Sequence, residues 1–442
     1  MRGTRLFVVM RAAAILVFTM IVMNALAAPR EKVPSSLAPT GENGFSSYAG
    51  LVFDGAGNLY GTTALGGGPC PQNSQGCGTV FELTPKAGGG WTERVLLRFN
   101  PNGKGGFSPY AGLVLDSDGN LYGTTVAGGD LSTCNGLGCG TVFELTPNEG
   151  GSWTETVLHK FHGTDEWYPD ASMIFDAAGN LYGTTGGGGI HDSGTVFELM
   201  PKSGGGWTEK VLHSFDGKDG GDPNGLIFDS SGNLYGTCGE GGHGMYPGGT
   251  VFELTPTTTG GWKENLLYSF RMRDGDPYYP IGGVILDASG NLYGTTSEGG
   301  ALHIGAGTVF ELMPPTGGDG WTLQVLHDFG VQSNDGVEPV AGLIPDSAGN
   351  LYGTTRGGGE FNSGTAFGLA PTTGGGWTEK VLHSFNGSDG GTIQAGLIFD
   401  ADGNLYGTTA EGGAHSGGTV FELTPKAAWP WTIKVLYSFN PN

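Results

Sequence analysis

The side chains best able to do chemistry in this chain are its nine histidines, its five cysteines and a set of aromatic residues beside acids. His191, His243, His303 and His415 stand in glycine-rich stretches, three of them after the Glu-Gly-Gly triplets that begin at Glu240, Glu298 and Glu411. If those stretches converge, imidazoles and carboxylates become neighbours and could hold a divalent metal or supply acid–base pairs. If they do not, the same residues are solvated tips of polar loops. His159, His213, His327 and His383 occupy one recurring position where Tyr268 and Tyr437 substitute, so a structural role is expected there. Cys77 and Cys139 each precede Gly-Thr-Val, with Cys70 and Cys134 a few residues upstream. No histidine stands near them at zinc-site spacing. In an oxidising compartment the expectation is two disulfides, Cys70–Cys77 and Cys134–Cys139, with Cys238 a buried thiol.

Aromatic faces beside carboxylates suit the stacking and hydrogen bonding of a sugar. Phe107 and Tyr110, Trp167 and Tyr168, and Tyr278 and Tyr279 lie in stretches that elsewhere carry Asp219, Asp222, Asp274, Asp276, Asp335 or Asp389. These six aromatics, with Glu240, Glu298 and Glu411, are the candidate ligand-binding residues. The loop histidines are the candidate metal ligands, and no residue is assigned a catalytic role. Asp216 to Asp222 hints at calcium but lacks the residue order of an EF-type loop. No cofactor is therefore expected, with Ca or Zn as the alternative.

The elements that must position these residues are repeated. Gly-Asn-Leu-Tyr-Gly occurs seven times, with its Asn at Asn58, Asn120, Asn180, Asn233, Asn291, Asn350 and Asn404. Around each copy stand four short runs of strand length, rich in β-branched and aromatic residues and bounded by Gly or Pro. Strands A and B are joined by Asp-x-x-Gly-Asn, in which the Asp can cap the turn and the Gly can take a positive φ. A Trp recurs once per unit at the start of strand D, from Trp91 to Trp431, as an inter-blade packing residue. A Glu recurs in strand C (Glu82, Glu144, Glu198, Glu253, Glu311, Glu422) and reads as a blade-to-blade hydrogen-bond partner. Unit six breaks the pattern with Gly368 and Pro345. Seven such units predict an all-β fold, a seven-bladed β-propeller of four-stranded antiparallel blades. In that architecture the variable B–C and D–A connections share one face, where any ligand site is expected. Ring closure is left open.

Residues 1–27 carry Arg2, Arg5 and Arg11, an apolar run and Ala25-Leu26-Ala27, the layout of a cleavable secretory signal, with an uncleaved N-terminal anchor as the alternative. Residues 28–47 read as linker and 48–442 as propeller, and no later stretch is apolar enough to span a membrane. Formal charge is −22. An acidic surface repels phosphate backbones, so nucleic acid is an unlikely partner.

Units of the form Gly-Leu-Ile-x-Asp-x-x-Gly-Asn-Leu-Tyr-Gly-Thr-Thr, followed by Gly-Thr-Val-Phe-Glu-Leu-x-Pro, resemble the GloVer (Gloeobacter/Verrucomicrobia-type) tandem repeat. The A–B hairpins are similar to those of NHL-type propellers. The resemblance implies an extracytoplasmic bacterial protein, often surface-attached through a C-terminal anchor that this sequence lacks. The expected protein is a secreted monomer, a non-catalytic binding or surface-interaction module with a glycan or cell-surface protein as partner. The alternative is a propeller enzyme, a metal-assisted lyase or hydrolase on polysaccharide or ester substrates.

Overall fold

The computed structural model describes residues 41–99, 105–163, 166–273, 275–301, 305–317, 320–426 and 431–442. The expected signal segment, most of the linker, Asp274 and His303 lie outside the described residues. Seven four-stranded sheets follow one another along the chain, at 52–98, 114–160, 174–214, 221–271, 285–328, 344–384 and 398–438. Within each sheet the strands lie in chain order A-B-C-D and pair antiparallel. In blade one these are Val52–Phe53, Leu59–Thr63, Thr79–Pro85 and Trp91–Arg98.

The A–B turn forms as its residue types require. In blade one, Asp54 Oδ1 accepts the backbone N–H groups of Ala56 and Asn58, each at 2.9 Å. Its Oδ2 accepts the Asn58 side chain at 2.8 Å and the Tyr60 hydroxyl at 3.1 Å. Gly57, at φ +85°, takes the turn position that a side chain disfavours. Burial opposes ionisation of Asp54, but these hydrogen bonds outweigh it and hold the carboxyl below its ordinary range.

The strand C glutamate corrects an expectation. Tyr122 donates to Asp116 and to Glu144 at 3.0 Å each, and all three residues belong to blade two. The Glu therefore ties strand B to strand C within its own blade. Blades are joined by hydrogen bonds, such as that from Thr62 Oγ1 to the Ala111 carbonyl at 3.1 Å, and by aromatic contacts. Phe143 of strand C meets Phe99 from the preceding blade at 5.2 Å, edge to face, and Tyr60 meets Trp153 of the next blade at 6.2 Å. The phenylalanine also explains an invariant of the repeat, because a Cβ on Gly61 would lie 2.6 Å from the Phe81 ring.

The same contacts close the ring. Phe439 of blade seven meets Phe81 of blade one at 5.2 Å, and Thr408 Oγ1 donates to the Ala49 carbonyl at 2.9 Å. Residues 41–47, expected to end a linker, are part of the propeller. Gly41 N–H donates to the Pro441 carbonyl at 3.0 Å and Ser46 N–H to that of Gly417 at 2.9 Å.

Candidate functional site

Two rings of side chains surround the propeller axis, supplied by the connection that enters each strand A. The first contains Ser46, Ser108, Tyr168, Asp222, Tyr279, Glu338 and Thr392, all with φ between 55° and 66°. Side chains adopt this left-handed region at a cost. It is held in six blades because the carbonyl of this residue accepts the N–H of the residue after strand B, as Tyr168 does from Gly186 at 2.9 Å. The second ring follows two residues on, at Tyr48, Tyr110, Asp170, Asn224, Ile281, Val340 and Gln394. Beyond it the chain narrows toward the axis at Gly50, Gly112, Ser172, Gly225, Gly283, Gly342 and Gly396. A Cβ on Gly342 would stand 3.3 Å from the Gly283 carbonyl.

The mouth so formed is asymmetric. On the side of blades one to four, the rings of Tyr48 and Tyr110 stack at 5.1 Å with planes 2° apart. Tyr168, Asp170 and Asp222 stand beside them. Asp170 is half-buried, and desolvation, reinforced by Asp222 beside it, raises its carboxyl well above the ordinary range. Burial first, then Asp170, raises the Tyr168 hydroxyl, and burial pushes Tyr110 up to about 12. Space for these groups comes from two missing side chains. A Cβ on Gly186 would lie 2.8 Å from Asp222 Oδ1, and one on Gly239 would lie 3.5 Å from its Oδ2. Across the axis, Arg356 pairs with Glu338 at 3.4 Å and Thr392 donates to Glu411 at 3.2 Å.

The candidate ligand residues separate accordingly. Tyr110, Tyr168 and Glu411 belong to the mouth. Phe107 does not: it is 4% exposed and packed between blades one and two, so it offers no face to a ligand. Tyr278 packs against the core and bridges to Glu298. The Tyr279 hydroxyl donates to Met272 Sδ at 3.1 Å, and Trp167 donates to Asp192 at 3.1 Å on the rim of blade three. Glu240 pairs with Gly221 in blade four. His191, His243 and His415 are exposed on blades three, four and seven. Among the described residues they belong to no group of three metal-ligating side chains with donors within 4.8 Å of one another. Asp216 and Asp219 cap their own loop, and Asp219 Oδ2 meets His213 Nε2 at 2.8 Å. Disulfides join Cys70 to Cys77 and Cys134 to Cys139, and Cys238 is a buried thiol.

Sequence inspection passes over Tyr48, Asp170, Glu338 and Arg356, and takes Asp222 only as one loop acid among several. The signal was in the repeat. The position after Gly-Thr-Thr reads Ala64, Val126, Gly186, Gly239, Ser297, Arg356 and Ala410, with glycine only where the acids gather. Perturbed acids also occur away from the axis. Burial pushes Glu93, Glu264 and Glu379 up to about 7, but these share one repeated position in strand D. Asp170 has no such counterparts, and perturbation at one unrepeated position is the better mark of a site.

The fold and this mouth define a repeat-built, seven-bladed β-propeller with an asymmetric polar mouth. The chain belongs to the Gloeobacter/Verrucomicrobia repeat family, whose profile it matches over residues 132–318 and 244–442. Comparison with curated protein sequences finds no match. Among solved structures it is similar to the extracellular domain of a putative one-component system from B. thetaiotaomicron, at 14% identity and TM-score 0.51. That match covers 91% of this chain and 43% of the other. It is also similar to a puromycin-hydrolyzing peptidase of Mycobacterium tuberculosis, at 11% identity and TM-score 0.53, over 94% of this chain and 57% of the other. This chain thus spans about half the length of these two proteins. An ulvan lyase matches at 12% identity and TM-score 0.48, over 92% and 96% of the two chains. Such identities establish likeness of fold alone.

Proposed function

We propose that this protein is an exported, non-catalytic binding module that takes a neutral glycan at the mouth of its central channel. The observation that carries this is the stacked pair Tyr48–Tyr110 beside Tyr168, Asp170 and Asp222, present on one side of the ring. Tyrosine faces supply apolar surface to a pyranose, while two neighbouring carboxyls, one of them with its protonated form favoured by burial, offer a donor and acceptors to hydroxyls. The overall charge of −22 and the pairing of Arg356 with Glu338 disfavour a polyanionic glycan. Export is supported by the two disulfides, which persist in oxidising compartments. Among the described residues no helix is long and apolar enough to cross a membrane.

The test is a glycan array followed by calorimetry on the mature protein. Tyr110→Ala or Tyr168→Ala is expected to weaken binding about tenfold, since an aromatic contact contributes roughly 0.5–1.5 kcal/mol beyond its buried area. Affinity unchanged in both variants, or no glycan bound at all, sinks the proposal. The elevated Asp170 carboxyl favours a second reading, a lyase or hydrolase in which Asp170 is the general acid. Product release from a bound polysaccharide or ester, abolished by Asp170→Asn while binding persists, would establish that reading instead.

A further inference from the structure

A second cluster lies away from the mouth, where blade five meets blade six; its residue types recur as His213, Asp219 and Glu264 where blade three meets blade four, but among the described residues only here do three such donors converge. His327 ends strand D of blade five (Thr322–Asp328), Asp335 follows in the connection to blade six, and Glu379 stands on strand D of blade six (Trp377–Ser384). One donor atom from each lies within 4.8 Å of the others. Asp335 is 6% exposed; its Oδ1 accepts the Gly336 N–H at 2.7 Å, which leaves Oδ2 directed at His327. That oxygen, His327 Nε2 and Glu379 Oε1 are all buried without a hydrogen-bond partner. His327 and Asp335 approach to 3.3 Å, but not in hydrogen-bonding alignment.

The equivalent places in the ring show what is unusual. His213 and His383 hydrogen-bond Asp219 and Asp389 at 2.8 and 2.9 Å, so those aspartates have spent their lone pairs locally. The connection from His327 to Asp335 is longer than those two, through Val331, Gln332, Ser333 and Asn334, and it presents its carboxylate differently. The third position is Glu264 beside His213 and Asp219 but Ile433 beside His383 and Asp389, and the Oε1 atoms of Glu93, Glu155 and Glu264 are buried in the same way as that of Glu379, so the distinguishing feature is the unbonded His327–Asp335 pair. One imidazole and two carboxylates, buried and converging with unused lone pairs, are a donor set for a borderline divalent ion. Leaving three such atoms unpaired is costly, whereas an ion satisfies all of them at once.

We propose that His327, Asp335 and Glu379 bind one divalent transition-metal ion, zinc by preference, that clips blade five to blade six. Blade six also lacks one bond that other blades make internally. Gly368 stands where other blades carry the strand C glutamate, so Tyr352 retains its bond to Asp346 at 3.1 Å and has no glutamate to meet.

The test uses the mature full chain with zinc chloride as the probe. After chelation, reloading and desalting, elemental analysis is expected to find one zinc per chain, and zinc should raise the melting temperature by several degrees at 100-fold excess over Kd. Glu379→Gln, which keeps the side-chain volume, should retain the fold by circular dichroism, lose the zinc and melt independently of it. Asp219→Asn, at the hydrogen-bonded counterpart, should leave zinc binding unchanged. Wild-type protein that holds less than a tenth of an equivalent of zinc, manganese or cobalt and melts alike with and without them overturns the site. Equal zinc retention by Glu379→Gln and Asp335→Asn overturns it as well.

Discussion

At the residue scale, the mouth carries a proton relation with a definite sign. Asp170 keeps its proton in the folded chain to a pH above the roughly 3.9 at which an unfolded aspartate titrates. Across that window the folded state binds more protons than the unfolded one, so this group's penalty grows as pH rises. Asp170→Asn removes the penalty and should raise the melting temperature more at pH 8 than at pH 4; an equal gain at both would contradict the assignment. The turn aspartates act in the opposite sense. Asp229 is held low by hydrogen bonds from Asn233 and Ser231 that outweigh its burial, so its stabilisation is present above pH 4 and lost below. Asp229→Ala should cost about 2 kcal/mol in denaturant unfolding at pH 7, and less at pH 3.

At the scale of the blade, the tyrosine of strand B joins the A–B turn to strand C. Tyr182 bonds Asp176 at 3.2 Å and Glu198 at 2.8 Å, while Tyr352 has only Asp346 to meet. Tyr182→Phe should therefore destabilise by roughly 2 kcal/mol and Tyr352→Phe by about 1, because the first leaves a buried carboxylate short of a donor. Equal costs would show that blade six has replaced the missing bond elsewhere. Gly186→Val tests the mouth from the same level. Val126 occupies that position in blade two, so the backbone accommodates it, yet the new side chain would crowd Asp222. Folding should persist while glycan affinity falls at least tenfold.

At the scale of the whole molecule, the ring is closed by noncovalent docking. Phe439 is fully buried between blades seven and one, so Phe439→Ala should cost about 3–5 kcal/mol, as large-to-small core changes do. The corresponding change at Phe215, between blades three and four, should cost a similar amount, since that junction repeats the same phenylalanine pair at 5.0 Å. A much smaller effect at Phe439 would show that the ring tolerates an open seam. The excess of acids over bases makes the fold salt-responsive in the stabilising direction, because screening weakens self-repulsion.

The propeller was legible because each repeated residue acts over a short range or at a fixed offset in the adjoining blade. Asp54 caps its own turn, Tyr60 reaches its own strand C, and Trp153 packs one blade away. Repetition then multiplies a local code into a fold, and the two disulfides followed from spacing within single loops. What the tertiary structure decided is which unrepeated residues meet. Tyr48, Asp170 and Arg356 come from three different blades, and their approach depends on the closing of the ring and the position of its axis. Likewise, nothing local tells that Asp335 misses the hydrogen bond its counterparts make. Tyr110 and Tyr168 were legible because they are aromatics in the connections that elsewhere carry acids, whereas Tyr48 and Asp170 gain their surroundings only when blades one to four come together.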